Sequence, residues 1–202
     1  MTTPTPGRRT GERAARLVTE VFAPGVLVVV ILLAVGWYSA PGPSGLGWGL
    51  LAALFCGIVP YGILIVGARL GWWSDHHVGD RRQRLVPLAI IIVCVTAGIS
   101  TLVFLGAPRP MVALVAAILV TLFVTLAITV AARWKISVHT AVAGGVVVLL
   151  ALTYGLYTLA LVPLVGLVAW SRVRLRDHTV TQVIAGAALG AGLAGPLFHL
   201  FT

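Results

Sequence analysis

The stretch SVHTAVAGGVVVLLALTYGLYTLALVPLVGLVAW, residues 137–170, contains no charged residue. It is longer than one membrane crossing, since about 20 helical residues span a hydrocarbon core of about 30 Å. Tyr154-Gly155 lies near its middle, and a glycine there interrupts an apolar run. The stretch therefore reads as two short membrane spans with a break between them. No strict apolar–polar alternation, the mark of a half-buried strand, appears here or elsewhere in the chain.

The same character extends outward. Further spans are predicted at Leu46–Leu70, Pro87–Leu105 and Met111–Ala132 before this stretch, and at Thr179–Leu200 after it. Val21–Ser39 is too long for a signal-peptide core and reads as a retained first helix. Pro41-Gly42-Pro43 and the Gly106–Pro110 turn separate neighbouring spans. Across 202 residues, 59% are hydrophobic and 9% charged, with mean hydropathy +1.07. An ordinary soluble domain carries about 25% charged residues. This composition excludes a soluble enzyme, a disordered chain and a disulfide scaffold. The expected fold is all-α: a polytopic transmembrane bundle of seven spans, or six if residues 137–170 cross only once. Residues 1–16 read as a flexible basic tail, and 17–202 as a single transmembrane domain. Cys56 and Cys94 fall in apolar runs and read as packed thiols. Gly186-x-x-x-Gly190 in the last span permits close helix contact.

The formal net charge is +9 from 14 lysines and arginines against 5 acidic residues. These cations sit beside apolar spans rather than in a basic stripe. Membrane topology and anionic headgroups explain them, and no nucleic-acid partner is expected. With seven spans, Arg109 is the only one on its side of the membrane. The positive-inside rule then places the N-terminus and the polar connections in the cytoplasm, in a multi-pass cell-membrane protein.

The connections after the second, fourth and sixth spans share that side. They gather His77, Arg84, Lys135, Ser137, His139, Arg172 and His178. Arginine offers bidentate donors to phosphate oxygens, and histidine serves as nucleophile or acid near neutral pH. Asp75, Asp80 and Asp177 are the only acids nearby, so the balance favours an anion over a bare divalent metal. Arg81, Arg82, Arg174 and Arg176 read as topology and headgroup contacts. Asp177 reads as the cap of the last helix. His76 and His199 read as interfacial.

The spacing is more specific. Ser171-Arg172, five residues, His178, three residues, Gln182 resembles the third signature of the type 2 phosphatidic acid phosphatase family, Ser-Arg-x5-His-x3-Asp. Ile136-Ser137-Val138-His139 resembles the second, Pro-Ser-Gly-His. His77, six residues, Arg84-Leu85 is similar to the first, Lys-x6-Arg-Pro. The three lie in the family's order within residues 77–182. The resemblance implies a helical bundle shared with the vanadium haloperoxidases and a metal-free phosphatase. Arg84, Arg172 and Ser137 would hold phosphate oxygens. His178 would attack phosphorus, and His139 would protonate the leaving alkoxide.

The departures are specific too. Gln182 stands where the family has an aspartate that orients the nucleophilic histidine. On a helix, His178 and Gln182 share a face at i and i+4, so the amide oxygen can still accept the imidazole N–H. Val138 replaces glycine, Leu85 replaces proline, and His77 stands where the family has lysine, which makes Lys135 a candidate substitute. The expected activity is hydrolysis of a lipid or isoprenoid phosphate or diphosphate through a phosphohistidine, with no cofactor. Two other readings remain. One is a lipid-phosphate binder without turnover. The other is a Mg²⁺-dependent isoprenoid diphosphate enzyme, which would draw on Asp75 and Asp80.

Overall fold

A computed structural model describes residues 6–73 and 85–202, with side chains from Thr10 onward. The expected site residues His77 and Arg84, and the Asp75/Asp80 pair, lie outside the described residues. Nine α-helices and no strand occur among the described residues. They are α1 (Pro6–Val21), α2 (Pro24–Ser39), α3 (Pro43–Ala53), α4 (Val59–Arg69), α5 (Leu85–Phe104), α6 (Arg109–Ala131), α7 (Val138–Tyr154), α8 (Val162–Arg174) and α9 (Val180–Phe201). The expected all-α bundle is what forms.

The N-terminal tail is the first correction. The segment read as flexible through residue 16 is helical from Pro6. Ala15 and Thr19 are buried one turn apart, while Arg13, Arg16 and Leu17 face outward. This one-sided pattern gives α1 a face to dock, and that face packs on α8. Four arginines in a short segment suggested a solvated tail, but small residues at positions 11, 15 and 19 form a helical stripe. Pro24 ends the continuity with α2. The residue before proline is pushed out of the helical region, and Ala23 sits at φ −58°, ψ 143°.

The α3–α4 rod carries a π-helical turn at Leu54–Ile58, where the Val59 N–H reaches the Leu54 carbonyl. Pro60 lacks an N–H and would press on the carbonyl four residues back, and the wider turn relieves that conflict. The break expected near Tyr154-Gly155 is present. Gly155 has φ 114°, and a short 3₁₀ turn, Leu156–Leu161, leads into α8. Among the described residues, six helical segments are long and apolar enough to cross a membrane, and α7 is a shorter apolar helix. Trp72 and Trp73 follow the end of α4. Only Trp72 is exposed; Trp73 folds back over Gly67 and donates its indole N–H to the Leu64 carbonyl at 2.8 Å.

The most extensive helix pair is α7 with α9. Lipid tails are as apolar as leucine, so packing between spans rests on van der Waals contact and close backbone approach. Glycines supply that approach here. A Cβ at Gly190 would collide with the Ala141 carbonyl, one at Gly186 with the Ser137 carbonyl, and one at Gly144 would lie 2.7 Å from the Ala187 carbonyl. The Gly186-x-x-x-Gly190 spacing is thus intramolecular packing. Ser137 is thereby held against the head of α9.

Candidate active site

Two connections and the end of α1 meet at one end of the bundle. Local geometry begins with the end of α8. Arg176 takes a left-handed conformation, φ 61°. The Arg176 N–H bonds to the Val173 carbonyl and the Asp177 N–H to the Arg172 carbonyl, at 3.0 and 3.1 Å. This is the Schellman closure of a helix C-terminus, with arginine where glycine is usual. The His178 N–H also reaches the Arg172 carbonyl, at 3.3 Å. The five-residue spacing between Arg172 and His178 is therefore the length of a last helical turn plus this reversal.

The turn folds Asp177 back on Arg172. Its carboxylate pairs with Arg172 Nη2 at 2.9 Å. Asp177 was expected to cap the last helix, and that expectation is corrected. Thr179 is the cap, because the tight turn commits the aspartate to Arg172, five residues earlier. Thr179 and Gln182 form a reciprocal capping box at the start of α9.

Gln182 has a second task. Its Oε1 accepts the Thr179 N–H at 3.1 Å and lies 3.2 Å from His178 Nδ1. A main-chain N–H only donates, so the atom facing it must be the amide oxygen. The same oxygen faces Nδ1, so Nδ1 is the donor and carries the ring proton. The lone pair of the neutral imidazole then resides on Nε2. His178 is buried, as are Arg172 and His139.

Ser137 is the N-cap of α7. Its hydroxyl accepts the Thr140 N–H at 3.4 Å, and its own N–H donates to the Gln182 carbonyl at 3.3 Å. The side chain is fully buried. It ties the start of α7 to the first turn of α9. Lys135, just before it, donates from Nζ to the Asp177 carbonyl at 2.8 Å. The α6–α7 and α8–α9 connections are thus joined directly.

Of the residues expected at the site, the structure brings Lys135, Ser137, Arg172, His178 and Gln182 into one bonded cluster. His139 follows within the first turn of α7. Its side chain lines an apolar cleft of about 180 Å³ between the helices, whose walls include Val28, Tyr61, Leu64, Leu88 and Thr125. Among the described residues, no three His, Cys, Asp or Glu side chains converge as metal ligands would.

One residue escaped the sequence reading. Thr19, at the end of α1, is buried against α8, with Oγ1 3.3 Å from Arg172 Nη1 and 3.2 Å from Ser171 Oγ. A threonine far from every motif carries no spacing signal. Only the small-residue stripe of α1 pointed to that face. Compared with protein-family models, curated proteins and solved structures, the chain matches none.

Proposed function

We propose that this chain is an integral membrane phosphatase acting on a lipid or isoprenoid phosphate or diphosphate at the cytoplasmic face. The observation that carries the reading is the Gln182 Oε1 contact with His178 Nδ1, because it protonates Nδ1 and leaves Nε2 as the nucleophilic atom. The buried Arg172 guanidinium, bonded through its main chain to His178, is the charge that would hold a phosphoryl group beside that nitrogen. Lys135 adds a second cation in the same cluster. Ser137 sets the start of α7 beside them. The apolar cleft at His139 suits the hydrocarbon part of an amphiphilic substrate.

In this reading the Nε2 lone pair forms a bond to phosphorus while the bond to the leaving oxygen breaks. His139 gives that oxygen a proton. Water, losing its proton to His139, then cleaves the P–N bond, releases phosphate and restores both histidines. Cationic donors arranged before charge develops on the phosphoryl oxygens would supply most of the rate.

The test is phosphate release from prenyl phosphates and diphosphates, phosphatidate and lipid-linked sugar phosphates, in detergent with a chelator present. Turnover by the wild type, abolished in a folded His178→Ala protein, supports the reading. Phospholipid binding without turnover would identify a binder. Product formation only with Mg²⁺ would identify the diphosphate–metal enzyme. Either outcome overturns the proposal.

A further inference from the structure

The N-terminal helix brings a hydroxyl into the cluster that neither spacing nor resemblance assigns a task. The Ser171 hydroxyl donates its one proton to the Val168 carbonyl at 2.7 Å. Ser171 Oγ can therefore only accept from Thr19 Oγ1, 3.2 Å away. The Thr19 proton is committed in turn, so Thr19 Oγ1 presents lone pairs to Arg172 Nη1 at 3.3 Å. The chain of donation runs in one direction: Arg172 to Thr19, Thr19 to Ser171, Ser171 to the main chain. All three side chains are buried. On its other nitrogen, Nη2, the same guanidinium meets Asp177.

We infer that Thr19 is a positioning residue for the anion site. It fixes the rotation of the Arg172 guanidinium from the side opposite Asp177, so that α1 is a working part of the site. The inference rests on the phosphatase reading for its consequence, though the bond itself does not. Supporting contacts run along the same face of α1. A Cβ at Gly11 would lie 3.1 Å from Arg174 Nη2, so the helix is seated against the end of α8 at two turns. A planar guanidinium binds phosphate through two parallel N–H groups only when its plane is fixed, and each donor pinned in advance is one fewer to order on binding.

The experiment uses the full chain in detergent, as wild type, Thr19→Val, Thr19→Ser and Arg172→Lys. Inorganic phosphate is the titrant. Its affinity should weaken about tenfold in Thr19→Val, the scale of one lost hydrogen bond to a charged group, and recover in Thr19→Ser. With lipid phosphate, the loss should fall on KM and kcat together in Thr19→Val, at unchanged thermal midpoint in Thr19→Ser. A second readout is independent of turnover. In arginine-¹⁵N-labelled protein, the signal lost in Arg172→Lys identifies the guanidinium, and its Nη1 resonance should shift in Thr19→Val and return in Thr19→Ser. Phosphate affinity and the Nη1 signal both unchanged in Thr19→Val would overturn the inference. If Arg172→Lys binds phosphate as the wild type does, the phosphatase reading fails, and the Nη1 signal alone still decides the Thr19 bond.

Discussion

The main-chain N–H of His178 donates to the carbonyl of Arg172 at 3.3 Å across the turn that ends α8. The two residues proposed to bind and attack a phosphoryl group are thus fixed to each other by backbone. A left-handed Arg176 makes that bond possible, because it reverses the chain within one turn of the helix end.

The left-handed position gives the first prediction. An L side chain there costs roughly 1–2 kcal/mol, partly offset in glycine by its larger loss of entropy on folding. Arg176→Gly should raise stability by up to about 1 kcal/mol, and Arg176→Val should lower it. Thermal midpoints in one detergent check this. A stabilised valine variant would mean that the turn does not require φ above zero.

Gln182 serves both the helix cap and the imidazole. Gln182→Ala should lose about 1 kcal/mol of stability with the cap and also slow phosphoryl transfer. Gln182→Glu should keep the cap and raise the transfer rate, since a hydrogen bond to a carboxylate is roughly twice as strong as one to an amide. Gln182→Asp is one methylene shorter and should lose the Thr179 contact. Single-turnover hydrolysis and thermal midpoints separate the two tasks. An alanine variant equal to wild type in both would remove Gln182 from the site.

Asp177 occupies Arg172 Nη2 as an anion would. Asp177→Asn should tighten inorganic phosphate binding several-fold by removing a competing carboxylate, while lowering the thermal midpoint because a buried guanidinium loses its counter-charge. Titration calorimetry of the two proteins measures the first effect and a thermal melt the second. Weaker phosphate binding in the variant would show that Asp177 aligns Arg172 rather than competing for it.

Two glycines on α9 give opposite expectations. Gly190→Ala forces a Cβ into the Ala141 carbonyl and should cost about 1–3 kcal/mol by overpacking. Gly192→Ala meets nothing within 4 Å and should stabilise α9 by up to about 1 kcal/mol. Loss of phosphate binding in Gly190→Ala is also expected, because the α7–α9 contact holds Ser137 against Gln182. Equal midpoints for both variants would mean that α9 does not sit on α7 as described.

Composition and hydropathy alone determined the all-α membrane bundle. A bilayer lets a chain satisfy its backbone only as helices or as a closed barrel, and the absence of apolar–polar alternation leaves the helices. The helix break at Gly155 and the i, i+4 approach of Gln182 to His178 were also legible, because both depend on residues close in sequence. Tertiary structure decided the rest. Asp177 pairs with Arg172 instead of capping α9 because a Schellman turn, set by Arg176, carries it there. Ser137 meets Gln182 because glycines let α7 and α9 approach to backbone contact. Thr19 reaches Arg172 only because α1 docks on α8, from more than a hundred residues earlier in the chain. Local spacing encodes which residues share a helix face. Which helices touch depends on packing between segments far apart in sequence, and no motif records that.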